Sequence, residues 1–323
     1  MSLKEAAAFL KEHDSFFIVS HVSPDEDTLG SALALRAGLK KLGKKAVVAC
    51  EDRVPRSCHM LPDWESVLSS GELPQEGDAV VFTDIAAADR AGRYTAYTDK
   101  PDTLCIDHHG TNPAFSGRGF AETNYVEVCA ATGEMILLVL KELGVAPDPA
   151  IGKLLYTAIA SDTGNFAYSS TTARTFELMA EVMRSGFDLT EANRELFRSV
   201  SLAKTRLEAL ALTKAEILLE GRAALCPVSL ADMSSCSASS EDGDGIVDAL
   251  RDIDTVEIAC YIREDSPEKV KASLRAKGSR KVSGLARKYG GGGHDQAAGC
   301  TLGMPLEKAA ALMREEIIAL LDT

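Results

Sequence analysis

Four short stretches, FFIVS at 16–20, AVVAC at 46–50, AVVFT at 79–83 and TLCI at 103–106, are apolar at nearly every position rather than at alternate ones. A strand with one wet face alternates, whereas a strand apolar throughout is covered on both sides. Helical patterns are interleaved with these runs or follow them, first from Thr28 to Leu42, then at 131–143, 149–160 and 172–185. Alternating strand and helix predicts an α/β domain with a mostly parallel sheet and helices on both faces.

What terminates the strands is less ordinary. FFIVS runs into His21 and then Pro24-Asp25-Glu26-Asp27. AVVFT runs into Asp84, TLCI into Asp107-His108-His109, and a helical segment ending AIAS into Asp162. Ligands of open α/β sheets bind at the carboxyl ends of the strands. Three strand ends therefore carry Asp and His to one rim, and a fourth segment can reach it. Carboxylates with imidazoles suit Mn, Mg, Fe or Zn, and hard oxygen donors favour Mn or Mg. In an extended loop Asp25 and Asp27, two apart, point the same way and can address neighbouring ions. More than four such groups exceed what one tetrahedral ion needs. They suit two ions about 3.5–4 Å apart that clamp a phosphate and activate a water. Each residue alone has a plainer explanation. Asp27 can cap a helix, His21 can be a hydrogen-bonded loop histidine, Asp84 can pair with Arg90, and Asp162 can cap the 163–166 turn. Their coincidence on one rim is what points to metal.

Charge and cysteine usage remove other classes. A net charge of −13 argues against a protein that coats duplex DNA. No uncharged apolar run is long enough to span a bilayer. Ser2 and Glu5 form a capping box, so the N-terminal segment reads as a folded helix and not an export signal. The eight cysteines include no C-x-x-C pair, and Cys50, Cys105 and Cys260 lie in strand-like runs, as expected of reduced thiols in a cytoplasmic protein.

Three regions follow: a metal-bearing domain at 1–187, a helical linker at 188–219, and a smaller α/β domain at 220–323. The last contains AALCPV, TVEIACYI and VKASLRA, then helices near 282–289 and at 305–321. Its Ser-rich stretch at 229–245 reads as a surface loop. From Arg263 to Lys288 there are nine Lys/Arg against three acids. In VKASLRAK, Val270, Ala272, Leu274 and Ala276 share one face, while Lys271, Ser273, Arg275 and Lys277 share the other, a ladder of donors suited to phosphate. Gly290 to Gly293 bring no side chains between backbone N–H groups and an anion, and His294 adds a donor or a stacking ring. Ala297-Ala298-Gly299 permits tight packing and predicts an ordered turn.

These motifs resemble a known family. HVSPDEDTLGS resembles the opening motif of the DHH phosphoesterases, IDHHGTN carries their D-H-H triplet, and YGGGGHDQAAG resembles the glycine signature of the accompanying DHHA1 domain. The order, spacing and length are similar to the small bacterial nanoRNase/pAp-phosphatase type, over nearly the whole chain. The resemblance implies an N-terminal parallel-sheet DHH domain and a smaller DHHA1 domain. It implies two Mn ions, with Mg as substitute, one held by His21, Asp25 and Asp84 and the other by Asp27, Asp84, His108 and Asp162. His109 would face the scissile phosphate, with Asp107 fixing an imidazole tautomer, and Arg275 with Gly291, Gly292, Gly293 and His294 would bind substrate. Where the family commonly has Gly between the two aspartates of its first motif, this chain has Glu26.

The implied activity is Mn-dependent hydrolysis of short single-stranded oligoribonucleotides to mononucleotides, and of 3′-phosphoadenosine 5′-phosphate (pAp) to AMP, with the acidic rim and the basic domain forming a cleft. A homodimer is compatible with this reading; a membrane partner is not. A cyclic-di-AMP or pApA phosphodiesterase shares the architecture. A non-catalytic nucleotide-binding module is the rival of another class, and retention of all six candidate ligand positions argues against it.

Overall fold

A computed structural model describes residues 1–69 and 71–321, and the chain divides into two compact units, Met1–Ser199 and Val200–Thr323. In the first, α1 (Leu3–Glu12) leads into β1 (Ser15–Ser20), α2 (Glu26–Lys41), β2 (Lys45–Ala49), β3 (Ala79–Thr83), β4 (Thr103–Asp107) and β5 (Thr123–Val126). Then come α3 (Thr132–Glu142), α4 (Pro149–Asp162), α5 (Ala173–Met183) and α6 (Leu189–Arg198). The strands lie in the order β2-β1-β3-β4-β5, every neighbouring pair parallel. Phe16, Ile18, Val81 and Ile106 face a core built with the α-helices. Phe17, Val19, Phe82 and Cys105 face the opposite way, against Ala91 and Tyr94 of a 3₁₀ segment, Ala88–Tyr97. Continuous apolar runs are therefore needed, because both faces are buried. The capping box of α1 is present, with Ser2 accepting from Glu5 N–H and Glu5 accepting from Ser2 N–H.

The second unit contains α7 (Leu202–Lys214), β6 (Glu216–Leu218), β7 (Ala223–Val228), α8 (Leu230–Ser235), α9 (Ile246–Arg251), β8 (Ile258–Ser266) and β9 (Lys269–Ala276). It continues with α10 (Ser283–Lys288), β10 (Gly292–His294), β11 (Ala297–Leu302) and α11 (Leu306–Leu321). The sheet order is β10-β11-β9-β8-β7-β6, antiparallel except for the parallel pair β7–β8. Val270, Ala272 and Leu274 pack with residues of α10 and α11, while Ala224, Cys226, Ala259 and Tyr261 pack with α7, α8 and α9.

Two local expectations change. The Ser-rich stretch is not loop throughout: Ser229 and Asp232 form a capping box that starts α8, and Met233 and Cys236 are buried. Ala297-Ala298-Gly299 is not a turn but the start of β11, where small residues let β9, β11 and β10 lie side by side. The segment 188–219 holds α6 in one unit and α7 in the other. The eight cysteines are all unpaired. No helix among the described residues is long and apolar enough to cross a membrane.

Candidate metal centre

Strand order decides where the polar groups meet. β1 connects to β2 on one side, and the chain then returns to place β3 on the other side of β1. Such a reversal leaves a crevice at the carboxyl ends of the two strands. His21 follows β1, Asp84 follows β3, and Asp107 ends the adjacent β4, with His108 and His109 next. Asp162 is the last residue of α4.

Asp25 and Asp27 reach the crevice differently from the extended-loop expectation. Asp25 is the N-cap of α2, its Oδ1 accepting from the N–H groups of Asp27 (3.1 Å) and Thr28 (3.0 Å), which leaves Oδ2 to face His21. Asp27 lies in the first helical turn and is 1% exposed. Its Oδ2 accepts from Thr132 N–H (2.7 Å), and its Oδ1 from Gly133 N–H and the Ser31 hydroxyl (3.0 Å each). The N-terminus of α3 thus holds a carboxylate in place, as helix N-termini favour. Glu26 opens α2, and its position does not require glycine.

Asp84 stands at the centre, 3% exposed, and the left-handed backbone there (φ 62°) is a conformation Asp tolerates better than most residues. Its Oδ2 lies 3.5 Å from His21 Nε2 and its Oδ1 lies 3.6 Å from His108 Nε2. Around the first oxygen, His21 Nε2 is also 3.5 Å from Asp25. Around the second, His108 Nε2 is 3.2 Å from Asp162 and 3.9 Å from Asp27. Donors bound at about 2.1 Å to one ion sit about 3.0–3.4 Å apart along tetrahedral or octahedral edges. The two sets are at, or a few tenths of an ångström beyond, ligating separation, and Asp84 turns one oxygen to each. All six residues expected as ligands are brought together.

The electrostatics fit divalent cations. Burial, then the charges of Asp84, Asp162 and Asp25, raise the Asp27 carboxyl well above its ordinary value. Burial pushes Asp162 up to about 6, His108 opposing and Asp84 and Asp25 adding to it. Burial alone would lower His21, but Asp25 and Asp84 outweigh it and carry the imidazole up to about 10. Against its own burial, Asp84 is lowered to about 2 by His21, His108 and His109. Without cations the crevice holds on to protons, because carboxylates this close cannot all be charged. Imidazole and carboxylate donors with this need for positive charge suit divalent ions.

The surrounding groups fix the donors. His108 Nδ1 sits 3.0 Å from the Cys129 carbonyl, so a proton there leaves Nε2 free to ligate. His109 Nδ1 lies 2.7 Å from Asp107 Oδ1, the contact expected of Asp107, which is fully buried. Asp107 is held in turn by Asn112, whose Nδ2 donates to Oδ2 at 2.7 Å. Cys129, Thr132 and Asn112 escape sequence reasoning because Cys129 acts through its carbonyl, Thr132 through its N–H to Asp27 and its hydroxyl to Asp84 (2.8 Å), and Asn112 from within a turn; only the run of α3 hinted that an N-terminus lay near. The Arg90–Asp84 pair, the plainer alternative for Asp84, does not form among the described residues. Val22 N–H donates to the Arg90 carbonyl (2.8 Å), which carries the guanidinium to His21 instead, with Nη2 3.0 Å from Nδ1.

In the second unit the donor ladder is partly spent. Arg275 Nε donates to Asp248 of α9 at 3.0 Å. Gly291 N–H donates to Ala286 O (2.9 Å) and so closes α10, which corrects its expected role as an open anion donor. A Cβ at Gly291 would meet Gly299 O at 2.1 Å, and at Gly293 (φ +129) would meet Ala297 O at 2.5 Å, so both glycines serve strand packing. Gly292 has open space around it, and His294 is exposed.

Comparison with known proteins agrees with this geometry. The DHH family, N-terminal domain, matches residues 15–159, and the DHHA1 domain matches residues 234–322. The bifunctional oligoribonuclease and PAP phosphatase NrnA of Thermus thermophilus is 31% identical over 303 residues, 93% of this chain and 88% of that protein. Its namesake in Bacillus subtilis is 23% identical over 290 residues, 90% of each. Among solved structures, an exopolyphosphatase-related protein from Bacteroides fragilis aligns with a TM-score of 0.90 at 24% identity, covering 99% of this chain and 95% of that one, a likeness of fold.

Proposed function

The chain belongs to the DHH phosphoesterase family, with a DHHA1 domain as its second unit, and from that premise we propose that it is a Mn-dependent hydrolase that cuts short single-stranded oligoribonucleotides to mononucleotides and converts pAp to AMP. The observation that carries the reading is the Asp84 carboxylate, with one oxygen turned to each of two His/Asp sets. His21, Asp25 and Asp84 would hold one cation, and Asp27, Asp84, His108 and Asp162 the other. Cations bound there supply positive charge to a phosphate and make water a better nucleophile.

The chain's own residues supply the rest. With Nδ1 engaged by Asp107, Nε2 of His109 is the ring nitrogen left to meet a substrate. In the ion-free site burial works against its proton, but Asp107 and Asp84 raise the imidazole to about 9, and the hydrogen bond to Asp107 favours an Nε2 that can carry a proton. That N–H orients a phosphate oxygen and can be given to the leaving alkoxide. Arg275, Gly292 and His294 would bind the rest of the nucleotide, and such work belongs in the cytoplasm. The test is release of AMP from pAp, from a 2- to 5-residue RNA and from cyclic di-AMP, assayed in parallel with Mn. Turnover of the first two supports the reading; turnover of cyclic di-AMP alone replaces it with the phosphodiesterase, and no turnover of any removes it.

A further inference from the structure

Arg90 lies where a cation is most in demand, and no carboxylate takes it. It is exposed, and among the described residues it forms no ion pair, although Asp89 precedes it and the crevice holds five aspartates. It is also the one guanidinium or ammonium, among those residues, within hydrogen-bonding reach of a side chain of the metal centre. Its backbone is pinned there by Val22 N–H, and its own N–H donates to Ala87 O at 2.9 Å. The position is built into the turn after β3.

Nδ1 of His21 lies 2.9 Å from the Val22 carbonyl as well as 3.0 Å from Arg90 Nη2. A ring that ligates through Nε2 has its proton on Nδ1, donated to that carbonyl, and so offers Arg90 no acceptor. The backbone of the turn keeps the guanidinium's fork of donors beside His21. Charge balance says what it awaits. Asp25, Asp27, Asp84 and Asp162 carry four negative charges, which two divalent cations cancel. A phosphate brings charge that this balance does not cover, and a guanidinium matches phosphate oxygens in both charge and geometry.

We propose that Arg90 binds a non-bridging oxygen of the substrate's phosphate. The assignment rests on the hydrolase reading above and adds to it a specific contact. Arg90 is then a second phosphate ligand of this unit, beside His109, and its task is affinity for the anion rather than retention of metal.

The experiment uses the full chain loaded with Mn and three forms: wild type, Arg90→Ala and Arg90→Lys. Calorimetry measures Mn binding, then binding of inorganic phosphate to the Mn-loaded protein, and steady-state assays follow pAp. Arg90→Ala is expected to bind Mn within about threefold of wild type. Its affinity for phosphate should fall about tenfold or more, and kcat/KM for pAp about a hundredfold, mainly through KM. Arg90→Lys, a point charge without the fork, should recover part of both losses. Unchanged phosphate affinity in Arg90→Ala overturns the proposal. So does a parallel loss of Mn, which would make Arg90 a support for His21. If wild type turns over neither pAp nor RNA, the hydrolase reading fails by itself, and the phosphate titration still decides the Arg90 contact.

Discussion

Charged side chains are arranged in opposite ways by the two sheets. At the carboxyl ends of β1, β3 and β4 they are buried, crowded and short of positive charge: Asp27, Asp84 and Asp107 are at most 3% exposed. Across the second sheet they are half-buried or exposed, and each meets an opposite charge. Arg275 pairs with Asp248, Arg280 with Glu257, Lys281 with Asp295 and Lys288 with Glu316. These four carboxylates lie outside 263–288, so they neutralise much of a surplus that looks like a basic patch in sequence. Such accessible, balanced pairs contribute little to stability. Buried, unbalanced carboxylates are costly, and persist where a ligand supplies the missing charge. Imbalance under burial therefore locates function here better than a local excess of one sign.

The sharpest way to break the contrast is at Asp84. Asp84→Asn keeps a residue that tolerates the left-handed backbone and removes one charge. Hydrolysis of pAp should fall by at least about 10³-fold in kcat/KM while the circular dichroism spectrum stays native. Near-normal turnover would strip Asp84 of its bridging role.

Metal removal probes the same imbalance through stability. Asp162, at about 6 against an ordinary 3.8, contributes stability only while protonated, fully below pH 3.8 and lost as pH rises through 6. His21, at about 10 against 6.5, contributes stability that is complete below 6.5 and lost as pH rises through 10. Both make the ion-free protein weaker toward alkaline pH, where cations have most to relieve. The rise in Tm on adding Mn should be larger at pH 8 than at pH 5, read by scanning calorimetry. An equal rise at both would mean that these protons are not displaced.

In the second unit effects should be smaller and fall on binding. If Arg275 holds the nucleotide as proposed, Arg275→Ala should raise KM for pAp about tenfold with kcat little changed; a selective fall in kcat would contradict that. Gly293→Ala should cost about 1–3 kcal/mol in urea unfolding, from its positive φ and the clash with Ala297 O. Gly292→Ala, with open space at Cβ, should cost less than about 1 kcal/mol and act on KM alone. Lys288→Ala should leave Tm unchanged.

The sequence announced its strands where they are long and apolar. β1, β3 and β4 appear within a residue of their apolar runs, and the polar residues that end those runs are the ones that converge. β5, β6 and β10 are short edge or near-edge strands with few apolar residues, so nothing in TNYV or GGH marks a ladder. The pairing of Arg275 with Asp248 was invisible because α9 and β9 are far apart in sequence. The help that Thr132 gives to Asp27 and Cys129 gives to His108 passes through backbone atoms, which every residue type possesses. Side-chain chemistry at strand ends was legible; the backbone that aims it was not.

The measurement closest to the central claim is a Mn titration of the ion-free full chain, followed by calorimetry and by the Mn(II) electron paramagnetic resonance signal. Two equivalents should bind to wild type, with spin coupling between them, and Asp84→Asn should bind at most one tightly. Absence of saturable binding, or two uncoupled equivalents held equally well by the variant, would contradict a pair of cations bridged by Asp84.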